Sequence, residues 1–227
     1  MMTQIWEAAQ SFVLLGGPVV AILLVLSVFA LALIALKLWQ FLWAGVGRHA
    51  RARRAVALWR HGGHARAARL AAANGRGAVA GALALAMRLS ADASRPRSEI
   101  DEAVRLYAIG RLHELQRGFR ALDAIAQIAP LLGLFGTVLG MIEAFRKLQS
   151  AGNAVDPSLL AGGIWVALLT TAVGLAVAMP VSLLLTFFET RLENERVAIE
   201  TLTGALFDPS PEPDAQELRM MDAAYAH

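Results

Sequence analysis

Three long apolar runs, separated by arginine-rich and mixed sequence, set the organisation of the chain. The first is charge-free from Ala8 to Leu36, and at 1.5 Å per residue it exceeds the roughly 30 Å of hydrocarbon in a bilayer. The second spans about Ala124 to Met141, and the third runs uncharged from Ser158 to Phe188. The third would reach roughly 45 Å as a helix, too long for one crossing. It continues through Glu189, Arg191, Glu193, Glu195, Arg196 and Glu200 without a breaker until Gly204, so the pattern predicts a helix that crosses and then projects from the membrane. Before the second run, Ile100, Val104, Tyr107, Leu112, Leu115, Phe119 and Leu122 recur at near-helical spacing with charges between them. That predicts one long helix, amphipathic at first and membrane-spanning later. Between Ala44 and Ser98 the alanine- and arginine-rich sequence, broken at Gly62–Gly63 and Gly75–Gly77, predicts short amphipathic helices ending near Ser94–Pro96. Ser98 with Asp101 can cap the helix that follows.

The resulting division is an outer N-terminal segment over 1–15, a first transmembrane helix over 16–43 and a cytoplasmic helical region over 44–98. A long helix including the second span follows over 99–148, then a periplasmic turn over 149–157. A third transmembrane helix with its cytoplasmic extension covers 158–207, and a proline- and acid-rich tail, expected to be disordered, covers 208–227. The fold class is an all-α membrane protein with three transmembrane helices and long cytoplasmic helical extensions.

Composition sharpens this picture at two points. A hydrophobic fraction of 57% and a mean hydropathy of +0.52 favour a membrane protein over one or two soluble domains. The formal charge is only +3, but arginines crowd the stretch from Arg48 to Arg120. A basic segment between spans marks the cytoplasmic side rather than a nucleic-acid surface. This places the N-terminus outside and the C-terminus in the cytoplasm. The opening MMTQIWE lacks a basic region, and the apolar run is longer than a typical signal core. Trp39, Phe41 and Trp43 stand where an interfacial aromatic belt is expected. Cysteine is absent, which removes disulfides and thiolate metal sites.

Candidate chemistry concentrates between Ala129 and Pro180. Pro130, Gly133, Thr137 and Gly140 fall three or four residues apart, as do Gly163, Ala167, Thr170, Gly174 and Ala178. Each set lies on one helical face. Membrane helices associate through close backbone approach at such small residues and through hydrogen bonds, so the hairpin is expected to present two small, weakly polar faces to something else. Gly133, Gly136 and Gly140 follow no strand, so they are packing residues rather than a phosphate loop. Pro130 and Pro180 are expected to bend their helices. A threonine in an apolar helix often bonds the carbonyl one turn earlier; the alternative is a hydroxyl facing a polar path. Glu143 is either an acid at the outer mouth or an exposed partner of Arg146 or Lys147. His61 and His64 amount to half a metal site with no second cluster, and no nucleophile–base pair points to an enzyme. No metal or cofactor is called for.

The segments GLFGTVLGM (Gly133–Met141) and TTAVGLAVAMP (Thr170–Pro180) resemble the MotA/TolQ/ExbB proton-channel family, most closely its ExbB and TolQ branch. The likeness also covers the order of spans, the orientation and the large cytoplasmic insertion, the last in layout only. The resemblance implies an inner-membrane homo-oligomer, a pentamer whose second and third spans surround a pore. Inside it would sit the single transmembrane helices of an ExbD-, TolR- or MotB-type partner dimer carrying a membrane aspartate. Proton flow would then drive an envelope machine through a TonB- or TolA-type protein. By motif, Thr137 and Thr171 fall on the family's pore-lining positions, with Thr170 a third candidate about 100° away.

One departure stands out. Where that branch typically reads Gly-Ile-x-Glu-Ala-Leu, this chain reads Gly163-Ile164-Trp165-Val166-Ala167-Leu168. Val166 replaces an intramembrane acid, the kind of residue that by default marks function. Either the partner's carboxylate suffices as proton carrier, or coupling in this chain is altered. The rival functions are a motility or gliding stator, a non-conducting scaffold and a solute permease, the last weakened by the lack of an internal repeat.

Overall fold

The computed structural model describes residues 2–73, 77–92, 94–150 and 157–207, all of whose regular structure is helical. Of the turn expected over 149–157, residues 151–156 lie outside the described residues, as does the tail from Asp208 onward. Seven helices are described: α1 (Met2–Ala44), α2 (Ala50–Arg60), α3 (His64–Ala72), α4 (Ala78–Leu89), α5 (Arg97–Gln116), α6 (Phe119–Ser150) and α7 (Pro157–Gly204). Three stretches are long and apolar enough to cross a membrane: Gly17–Ala44, a stretch within Arg97–Ser150, and Leu160–Gly204. The protein is an all-α membrane protein with three candidate spans.

The chain divides into two compact units, one formed by Met1–Gly47 with Ile109–Glu195, the other by Arg48–Ala108 with Arg196–His227. In the first unit, α1 is interrupted at Gly17, whose φ of 67° and ψ of −165° are non-helical. Glycine tolerates this left-handed φ, and Pro18, lacking an N–H, suits the first position of the helix that restarts there. Val19 and Leu23 of that helix cluster with Ala129 of α6 and Ala178 of α7, with Leu132, Val173 and Val177 packed around them. The outward faces are strongly apolar: Val25 is 69% exposed, Leu131 64% and Leu183 72%. On a folded chain in water such faces would cost far more than they do against lipid or partner helices. α6 runs through Pro130 and α7 through Pro180 without a break.

The helix expected from 99 to 148 is two helices. α5 ends at Gln116, and Gly118, at φ 91°, occupies the left-handed position that commonly terminates a helix. The Lys37 ammonium donates to the freed Leu115 carbonyl at 3.0 Å and to Gln40 Oε1 at 2.7 Å. The amphipathic period continues across the break, which is why periodicity alone concealed it.

The second unit is built on alanine. Ala55 of α2, Ala67 of α3, and Ala82, Leu83 and Ala86 of α4 are fully buried, so short helices approach closely. Gly62, at φ 81°, turns the chain between α2 and α3. Gly81 of α4 sits directly beneath the Tyr107 hydroxyl of α5, where even a methyl group would collide. At the start of α5, Ser94 donates through its N–H and hydroxyl to Asp92 Oδ1, at 3.1 and 2.6 Å.

Candidate functional site: the α6–α7 seam

The small residues of α6 and α7 meet one another in antiparallel register. A methyl group at Gly140 would lie 2.9 Å from Ala167 Cβ, one at Gly136 2.6 Å from Thr170 Oγ1, and one at Gly133 3.0 Å from Thr171 Cα. Gly174 is equally confined: an added methyl would come 2.6 Å from the Ala129 carbonyl oxygen and 3.1 Å from Gly133 Cα. At the far end Gly163 abuts Ala144. The two stripes, expected to face outward, are therefore turned toward each other. The reason is geometric: helices joined by a short turn must pack antiparallel, and the faces permitting the closest approach gain the most contact.

The three threonines differ in placement. Thr170, 2% exposed, lies inside the seam, and its hydroxyl reaches the Ala167 carbonyl at 2.7 Å and the Gly133 carbonyl across the seam at 3.1 Å. The second of these ties the two helices together. Thr137 is half-buried and donates to the Leu134 carbonyl of its own helix at 2.6 Å, the local bond a threonine makes in any apolar helix. Thr171 is half-buried, yet its hydroxyl oxygen is covered and has no hydrogen-bond partner among the described residues. A buried hydroxyl left unmade is costly, on the order of 1–3 kcal/mol. Val166 is half-buried, and Ala167 and Ala178 are buried.

The polar candidates away from the seam resolve simply. Glu143 Oε1 lies 3.7 Å from Lys147 Nζ as an exposed pair. His64 packs edge-on against Trp59 with ring centroids 4.4 Å apart. Among the described residues no three His, Asp or Glu side chains stand close enough to hold a metal ion.

Two buried charges went unread in the sequence. Lys37 is 7% exposed and Glu195 2%. Besides capping α5, Lys37 sits 5.5 Å from the Phe119 ring centroid. Phe119 belongs to a cluster with Phe41 and Phe188, whose rings lie 5.2–6.3 Å apart. Glu195 Oε1 accepts the Gly47 N–H at 2.6 Å, holding the chain as it leaves α1. In the sequence Lys37 stands just after the first apolar run and Glu195 in the mixed extension of the third. The signal was position: Lys37 follows Ala30 and Ile34 and precedes Phe41, and Glu195 comes seven residues after Phe188, each on the buried stripe of its helix.

A hairpin of two membrane-length helices, sealed by glycines and carrying a hydroxyl but no acid among the seam contacts described, is the site that known proteins can be compared with. The sequence profile of the MotA/TolQ/ExbB proton channel family matches residues 74–201, more than half of the chain, and the protein belongs to that family. It is similar to an ExbB homolog, named as a biopolymer transport protein, of Methanothermobacter thermautotrophicus, with 40% identity over 108 residues, 48% of this chain and 38% of the relative. It is also similar to the biopolymer transport protein exbB1 of Vibrio cholerae, 41% identical over 80 residues, 35% of each chain. The Tol-Pal system protein TolQ of Haemophilus influenzae is 39% identical over 69 residues, 30% of each. The similarity thus spans between 30% and 38% of those relatives' length and places the chain in the ExbB and TolQ branch.

Proposed function

We propose that this chain is the ring-forming inner-membrane subunit of a machine driven by the proton-motive force, with its N-terminus periplasmic and C-terminus cytoplasmic. Five copies would surround the single transmembrane helices of an ExbD- or TolR-type partner dimer and pass work to a TonB- or TolA-type envelope protein. The observation that carries this reading is the family profile's match over residues 74–201, which takes in α6 and most of α7 with Thr137 and Thr171. Within a ring the Thr171 hydroxyl, turned out of its covered position, would bond to water or to the partner, and Thr137 would line the same path. Hydroxyls suit proton transfer because they donate and accept without holding a trapping charge. Thr170 serves the seam that keeps the wall closed. Closure matters, since one elementary charge crossing 100 mV releases about 2.3 kcal/mol.

Val166 favours a second reading, a scaffold that does not conduct, because no acid stands at the family's intramembrane position. Proteoliposomes holding the protein with its partner separate the two. Under an imposed voltage the conducting reading predicts a pH change inside the vesicles, at least tenfold slower in Thr171→Val and restored in Thr171→Ser. Unchanged flux in Thr171→Val removes the pore role, and no flux in the wild-type complex favours the scaffold. A motility stator would differ in the partner's periplasmic domain, through peptidoglycan binding.

A further inference from the structure

Within the second unit, α3, α4, Trp59 of α2 and Tyr107 in the middle of α5 line a groove of about 1040 Å³. Its floor is apolar, with Ala72, Leu85 and Met87, and its charged lining consists of Arg69 and Arg88, with His64 nearby and no carboxylate. Three arginines around the start of α5 are paired: Arg95 with Glu99 at 2.7 Å, Arg97 with Asp101 at 3.6 Å and Arg105 with Glu102 at 3.1 Å. Arg69 instead donates to the Ala65 carbonyl of its own helix at 3.2 Å. An apolar trough edged with cations that have no carboxylate partner among the described residues fits an acidic amphipathic segment.

The chain carries such a segment. Residues 208–227, outside the described structure, contain Asp208, Glu212, Asp214, Glu217 and Asp222 against a single basic Arg219. Leu218, Met221 and Tyr225 are spaced by three and four residues, one face of a helix, and Glu217 and Asp222 flank that face on opposite sides. The tether is short enough. Phe207 stacks on Arg97 with the guanidinium 5.1 Å from the ring centroid. Tyr107, at the groove wall, lies ten residues further along the same helix, roughly 15 Å away. The residues from Asp208 to Leu218 extend up to about 36 Å.

We propose that this groove receives the chain's own acidic segment, with Leu218, Met221 and Tyr225 over the floor and Glu217 and Asp222 toward Arg69 and Arg88. The inference goes beyond the pore reading and does not depend on it. Because the chain has no cysteine, engineered pairs report the contact cleanly. Full-length protein in nanodiscs carrying Ala72→Cys and Met221→Cys, exposed to a mild oxidant, is expected to form an intramolecular disulfide. Its rate should exceed that of an Arg51→Cys, Met221→Cys control at least tenfold. Adding Arg69→Glu and Arg88→Glu, both on exposed positions, should bring the rate to the control level, and adding Glu217→Lys and Asp222→Lys to those should restore it. A rate no faster than the control, indifference to charge reversal, or disulfides formed only between copies would each overturn the proposal.

Discussion

The α6–α7 seam and the junction around Lys37 and Glu195 belong to one compact unit yet hold helices together by opposite means. In the seam the contact is made by missing side chains: glycines bring backbones together and a single hydroxyl crosses between them. At the junction the contact is made by bulk and charge, three clustered phenylalanines of which Phe119 lies beneath a buried ammonium, and a buried carboxylate on a backbone N–H. Each kind of packing answers to its surroundings. Among lipid tails large apolar side chains gain nothing by leaving lipid, so dispersion at close range must suffice. Where helices end, freed backbone groups need partners, and charged side chains supply them strongly.

Filling the seam should have the largest effect. Gly174→Leu places a side chain where the Ala129 carbonyl already stands, and it is expected to lower stability by about 3 kcal/mol or more. Gly174→Ala should do so by less, both read from denaturant unfolding in detergent. A Gly174→Ala protein as stable as the wild type contradicts the seam geometry. At the junction, Lys37→Met leaves the Leu115 carbonyl without its donor, a loss of about 1–3 kcal/mol. Hydrogen exchange should quicken around residues 115–122, and Glu195→Leu should act similarly at Gly47. Glu195→Gln keeps an acceptor and should retain most of the stability; equal losses for Gln and Leu would mean that the charge, not the bond, matters.

Thr170→Val removes one hydrogen bond between membrane helices, for which about 0.6 kcal/mol is typical, with Thr170→Ser close to wild type. Smallest is Lys147→Ala, which breaks an exposed pair with Glu143 and should change stability by less than about 1 kcal/mol. If it rivals Gly174→Leu, the ranking of backbone proximity over surface charge is wrong.

The same contrast explains what could be read in advance. The three apolar stretches, the small-residue stripes and the Thr137 and Thr171 motifs are written in spacing and composition, because lipid imposes length and close packing imposes size. That the stripes face each other is not so written, since a glycine face fits an adjacent helix in the same chain as well as one in another molecule. The stop at Gly118 is hidden because Ile100, Leu115, Phe119 and Leu122 keep one period on both sides of it. Lys37 and Glu195 look like ordinary boundary charges until burial is known. The groove beside Tyr107 depends on how three alanine-rich helices meet, which composition does not specify.

The most direct test of the ring and its hydroxyl-lined path is an image of the purified protein with its partner in lipid, resolved well enough to see side chains. The account predicts five copies around two partner helices, with the Thr171 hydroxyl directed toward the central axis. A monomer, or a ring in which Thr171 faces the acyl chains, contradicts it.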